Sequence, residues 1–204
     1  MIPYLRDPAA IYARSFEIIR AETDFSRVPV NAEAIATRVI HACGMPEIAG
    51  DLRITGDFAP SAAAALAAGK PVLADVEMVR HGLIGKQLHI ICTLNDPRAR
   101  EIGIERGVTR SAAAVELWRP HLEGAVAVIG NAPTALFALL ELIDAGAPRP
   151  AAIVAFPVGF VGAAESKAEL VADPRGIPYA TLQGRRGGSA MAAAVINALT
   201  HGAA

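Results

Sequence analysis

The side chains able to do chemistry fall into four groups. His41 stands three residues after Arg38 and two before Cys43, in RVIHACG. Asp75 and Glu77 flank Val76 in LADVEMV. Glu165 and Lys167 close the run IVAFPVGFVGAAESK, residues 153–167. Arg185 and Arg186 lie between glycines in GRRGGS. A spacing of three puts Arg38 and His41 on one face of a helix. There an imidazole can move a proton near neutral pH, beside a guanidinium fork suited to a carboxylate. Cys43, two residues from His41, points to another face, so a Cys–His nucleophile is disfavoured and a core thiol is the simpler reading. A single helical histidine more often packs or caps than reacts. Two acids after a strand could share general acid–base work, but that signal is weak.

The glycine loops are a second kind of signal. GNAPT at 130–134 and GRRGGS at 184–189 each put small residues ahead of a helix N-terminus, where backbone N–H groups attract anions. Neither is GxGxxG or GxxxxGK[ST], so the nucleotide fingerprints are missing. Each alone reads equally well as a tight strand-to-helix turn. Gly159 and Gly162 let backbone approach a ligand closely, which makes 153–167 a candidate site floor. Arg185 and Arg186 have few sequence neighbours to pair with and could take carboxylates or simply be solvated. His81, His89, His121 and His201 form no metal-ligand spacing, and His201 falls in a C-terminal tail.

These residues need elements to hold them. Asp7–Pro8 predicts a capped helix to about residue 22, with Ser15 on the face of Ile11, Ile18 and Ile19. A hydroxyl there can bond back to its own helix. Asn31 predicts a second N-cap, with an apolar stripe through Ile35 and Val39 and a stop at Gly44. Strands are predicted at 52–55, 71–75, 88–92, 125–129, 151–156 and 179–182. Helices are predicted at 60–68, 95–106, 109–118, after 134, at 165–171 and at 190–199. The alternation gives an α/β fold: three layers, a mainly parallel sheet flanked by helices. No linker divides the chain, so 1–204 is expected to be one domain.

Composition sets the outer limits. Hydrophobic residues are 53% and charged residues 19%, which excludes disorder. A net charge of −1 without like-charge runs argues against nucleic-acid or membrane-surface binding. Cys43 and Cys92 make no CxxC or disulfide framework. The N-terminal MIPYLRDPAA lacks the pattern of a signal peptide, and the apolar runs are too short to span a membrane. A soluble cytoplasmic protein is expected.

Five segments together resemble one family. They are YxRSFxxIR at 12–20, RVIHACGMPEIAxDL at 38–52, LADVEMVRHG at 73–82, IGNAPTALFxLLELI at 129–143, and FPVGFVGAAESK with GRRGGS. They are similar to precorrin-8X methylmutase, and IGNAPTAL with PVGFVGAAESK is far more specific than any single glycine loop. The resemblance implies a flavodoxin-like homodimer with its site near the subunit interface and no cofactor. It implies an isomerase of corrin biosynthesis that turns precorrin-8X into hydrogenobyrinate by moving a methyl group from C11 to C12. The family's catalytic histidine falls on His41, acting as acid–base on a ring nitrogen, and its substrate contacts fall on Ser15 and Arg38. Lys167 and Arg185, with Arg38, are candidates for binding the substrate's carboxylates, Asn131 is a further substrate-binding candidate, and no residue is expected to bind a metal.

Such a rearrangement asks for proton placement and a shaped apolar cradle rather than a nucleophile. Three alternatives stand beside it. One is a cobalt-precorrin-8 methylmutase of the anaerobic branch. Another is a tetrapyrrole carrier that hands a labile intermediate to the next corrin-pathway enzyme. The last is a phosphate-binding α/β protein, against which the absent fingerprints count.

Overall fold

The computed structural model describes residues 4–85 and 87–201. Residues 1–3 of the N-terminal stretch, the 202–204 tail and the His201 side chain lie outside the described residues. Among the described residues six strands form one sheet: β1 Leu52–Ile54, β2 Val72–Ala74, β3 Ile90–Ile91, β4 Val126–Ile129, β5 Ala152–Ala155 and β6 Tyr179–Leu182. Their order is β1-β6-β5-β4-β2-β3. All neighbours run parallel except the edge pair β1 and β6. Numbered among themselves, the five parallel strands read 2-1-3-4-5, the flavodoxin-like order.

Strands β4, β5 and β6 read VAVI, AIVA and YATL and are buried throughout, as strands covered on both faces must be. Alternate residues serve two cores. Val126, Val128, Ala152, Val154, Ala180 and Leu182 face one layer. That layer contains α1 (Pro8–Glu22), α2 (Glu33–Cys43), α3 (Phe58–Ala67), α4 (Glu77–Gly82) and α9 (Ser189–His201). Ala127, Ile129, Ile153, Ala155 and Tyr179 face the other. It holds α6 (Arg110–Glu116), α7 (Pro133–Asp144) and α8 (Ala163–Ala172), with α5 (Pro97–Arg106) beside α6. Leu136 and Leu139 of α7 are fully buried, contributing roughly 1.5–3 kcal/mol each.

Helix α9 is the shared packing partner of the first layer. Its run AMAAAVINAL presents small residues, so α2 and α4 pack close against it. At Gly82 a methyl group would sit 2.9 Å from Ala193 Cβ. Asn197 of α9 then fixes the end of α4, accepting from Ile84 N–H at 3.1 Å and donating to Gly82 C=O at 2.9 Å.

The expected elements form with several differences. Asn31 is no N-cap: a 3-10 turn at Val30–Ala32 precedes α2, and the Asn31 amide donates to Gly56 C=O. The cap at Asp7 and the left-handed stop at Gly44 stand as expected. The 88–92 strand shrinks to two residues because it lies at the sheet edge with one partner. Helix α4 occupies a stretch that the apolar pattern left unread.

Candidate active site

His41 lies in the last turn of α2 and faces α1, where Tyr12, Ser15 and Phe16 share a face by their spacing of three and four. Ser15 Oγ and His41 Nδ1 are 3.0 Å apart. The Phe16 ring meets the imidazole edge-on at 5.4 Å, and Tyr12 tilts against it at 5.6 Å. The Arg38 guanidinium carbon stands 5.6 Å over the Tyr12 ring. The imidazole is therefore held on one nitrogen by a hydroxyl and walled by two aromatic rings, while the residue stays exposed.

Two hollows meet at His41. One, of about 170 Å³, is lined by Ser15, Ile18, Ile19 and Glu22 of α1 and by Ile40, His41, Gly44 and Pro46. The other, of about 290 Å³, is lined by Arg38, His41, Ala42, Gly82 and the α9 residues Ala190, Ala193, Ala194 and Asn197. Both are open and mostly apolar. With Nδ1 committed to Ser15, Nε2 is the nitrogen left to meet a ligand. If the ring is doubly protonated, both nitrogens donate, Nδ1–H to Ser15 and Nε2–H outward.

A second constellation lies beyond the carboxyl ends of the strands, where the loops after β4, β5 and β6 are knitted together. Val158 N–H donates to Asn131 C=O at 3.2 Å, Gly159 N–H to Arg185 C=O at 3.2 Å, and Gly188 N–H to Phe156 C=O at 2.7 Å. Gly187 has to be glycine here: a Cβ would stand 2.4 Å from Phe156 C=O. Asn131 is exposed, and Arg185 extends over the Phe160 ring at 5.6 Å. Arg186 is not without a partner, as the sequence suggested, but pairs with Glu47 at 3.0 Å. Both are more than half exposed, so the pair contributes little stability. It does tie the 184–188 loop to the segment just after α2, and so joins the two constellations.

Two expectations need correction. Lys167 does not reach outward: its side chain is completely buried and donates from Nζ to Arg186 C=O at 2.6 Å. Burial pushes this ammonium down to about 8. It braces the arginine loop from beneath and offers no surface for a substrate carboxylate. The N–H groups of Gly130, Asn131 and Ala132 in GNAPT are not open to an anion either, because Asp75 already accepts from them at 2.9, 3.0 and 3.1 Å. Burial pushes the Asp75 carboxyl up, and those three donors pull it back down. Asp75 and Glu77 are thus no exposed acid–base pair.

The structure brings Ser15, Arg38 and His41 together as α1, α2 and α9 converge. Asn131 and Arg185 belong to the rim of loops. Tyr12, Phe16 and Glu47 escaped the sequence reading, although the positions of Tyr12 and Phe16 around Ser15 on α1 were a usable signal. Cys43 sits against the core with Sγ 3.5 Å from Ile40 C=O, and burial raises its thiol. Among the described residues no cluster of three or more His, Cys, Asp or Glu could hold a metal ion, and no helix is long and apolar enough to cross a membrane.

Comparison with known proteins bears on this geometry. A family model described as precorrin-8X methylmutase matches residues 10–201. A precorrin-8X methylmutase of Pseudomonas aeruginosa is 56% identical over 203 residues, covering 98% of each chain. A cobalt-precorrin-8 methylmutase of Methanothermobacter thermautotrophicus is 37% identical over 193 residues, covering 93% of this chain and 90% of that one. A solved structure of precorrin-8x methyl mutase from Thermus thermophilus superimposes with a TM-score of 0.85 at 32% identity, covering 96% of both chains.

Proposed function

The chain belongs to the precorrin-8X methylmutase family, and on that premise we propose that it is an isomerase of cobalamin biosynthesis acting on precorrin-8X as a single domain. It moves a methyl group from C11 to C12 of the macrocycle and releases hydrogenobyrinate. The observation that carries the reading is the held imidazole: His41, fixed on Nδ1 by Ser15 and lining two open apolar hollows.

His41 Nε2 gives a proton or hydrogen bond to a ring nitrogen of the substrate. That draws electron density through the conjugated system and lowers the barrier to migration. As the conjugation re-forms, the proton returns to His41, so the enzyme ends as it began. Ser15 Oγ accepts from Nδ1–H while the ring is cationic, which orients the imidazole and spreads its charge. Arg38 holds a side-chain carboxylate of the macrocycle, with its guanidinium kept in place over Tyr12. Asn131 and Arg185 take peripheral carboxylates at the loop rim.

Neither hollow alone would enclose a tetrapyrrole, since pockets that bury drug-sized ligands run to roughly 300–1,000 Å³. The macrocycle therefore lies across the open face, and a second copy of the chain closes it. A homodimer fits this need, and such an enclosed site would pass its product on to the next corrin-pathway enzyme.

The cobalt-free substrate is the better-supported choice. Identity is 56% to the precorrin-8X enzyme and 37% to the cobalt-precorrin-8 enzyme. The test is an anaerobic assay of purified protein with each substrate, followed by the visible spectrum. Preferential turnover of precorrin-8X is expected. Preferential turnover of cobalt-precorrin-8 would reverse the assignment, and binding without turnover would favour the carrier.

A further inference from the structure

In the flavodoxin-like strand order the ligand crevice lies at the switch point, where the chain turns from one half of the sheet to the other. In this sheet that point falls between β2 and β4, which are paired neighbours. Asp75 is the first residue beyond β2, and Gly130, Asn131 and Ala132 are the first three beyond β4. Both Asp75 carboxylate oxygens are engaged: Oδ1 by Gly130 N–H at 2.9 Å, and Oδ2 by Asn131 and Ala132 N–H at 3.0 and 3.1 Å. The residue is 2% exposed. Successive N–H groups ahead of a helix form a nest for an anion, and here the chain supplies the anion itself.

We propose that Asp75 is a positioning residue whose carboxylate occupies the switch-point nest and thereby sets the substrate-binding rim. The proposal rests on the reading of Asn131 and Arg185 as rim contacts. Asp75 holds the 130–132 backbone, whose Asn131 C=O accepts Val158 N–H. The next residue, Gly159, donates to Arg185 C=O. One buried carboxylate thus lies at the root of a hydrogen-bonded chain through all three loops. The crevice itself is closed to substrate anions. At Gly130 any side chain would strike Val79 Cγ2 at 2.6 Å and Ser189 Cα at 2.9 Å, so the root of this loop packs directly against α4 and α9.

The test is chemical rescue of Asp75→Ala. That variant opens a small space facing three N–H donors, which formate fits and chloride at the same ionic strength does not reproduce. The expected result has two parts. Formate raises the Tm of Asp75→Ala saturably while leaving wild type unmoved. The KM of the variant for precorrin-8X rises about tenfold or more, kcat changes less, and formate brings KM back toward wild type. An equal Tm response in both proteins, an unchanged KM, or a raised KM that formate leaves in place would each overturn the proposal. The Tm arm needs no turnover, so it judges the nest even if precorrin-8X proves not to be the substrate. Should Asp75→Ala not accumulate folded, Asp75→Asn fills the same space with a single acceptor oxygen. A raised KM insensitive to formate is then expected, and a wild-type KM would overturn the proposal.

Discussion

Replacing Ser15 by alanine isolates the contact on which the proposed chemistry depends. The hydroxyl is 3.0 Å from His41 Nδ1 and partly buried between α1 and α2. A hydrogen bond to a charged partner contributes about 1.5–3 kcal/mol, against about 1 kcal/mol for a neutral pair. The proposed mechanism needs the imidazole aimed at the ring nitrogen as the methyl group migrates, so the whole contribution of this anchoring bond is lost from the transition state and not from the bound substrate. At about 1.4 kcal/mol per decade, kcat should fall roughly tenfold to a hundredfold with KM little changed. Ser15→Thr keeps the hydroxyl and should retain most activity. The assay is anaerobic conversion of precorrin-8X under saturating and limiting substrate, with Tm measured to confirm intact folding. A Ser15→Ala kcat within twofold of wild type would refute the orienting role. A raised KM with unchanged kcat would place Ser15 on the substrate instead.

Two further outcomes follow from the packing. Gly130→Ala forces a methyl group to 2.6 Å from Val79 and 2.9 Å from the α9 backbone, so overpacking should cost about 1–3 kcal/mol. Thermal melting should show a Tm lower by several degrees. Lys167 gives a pH signature, because burial lowers its ammonium to about 8, below the ordinary lysine value. Between those two values the unfolded chain binds more protons than the folded one, so this residue's penalty on folding shrinks as pH rises. Urea midpoints of wild type should therefore gain on those of Lys167→Met from about pH 7.5 to pH 10, and parallel profiles would contradict the buried ammonium.

Much of the fold was legible because its strands are continuous β-branched and alanine runs cut by Gly and Pro. VAVI and AIVA could hardly be anything but buried parallel strands. The cap at Asp7 and the stop at Gly44 are local chemistry that a few residues decide. Asn31 misled because its side chain satisfies Gly56, 25 residues away, which no local pattern reveals. The 88–92 segment has the right apolar residues but only one neighbouring strand to hold it.

At the site, the shared face of Arg38 and His41 followed from helical spacing. The pairing of His41 with Ser15 is a contact between residues of two helices, 26 positions apart, and required the fold. Lys167 and Asp75 were misread for the same reason. A charged side chain just beyond a strand, as Asp75 is, or after a glycine-rich stretch, as Lys167 is, looks available in sequence, but each proved to be buried against backbone groups of a neighbouring loop. The stretch at 153–167 is one of three loops whose geometry those buried charges fix, while the reacting group sits on α2.

The most direct measurement is single-turnover conversion of precorrin-8X by His41→Ala, with hydrogenobyrinate affinity measured on the same protein. Positioned proton transfer contributes about 10²–10⁴-fold. The expected result is a rate lower by a factor in that range, with product affinity within a few-fold of wild type. A His41→Ala enzyme that isomerises precorrin-8X at close to the wild-type rate would contradict the central role given to this imidazole.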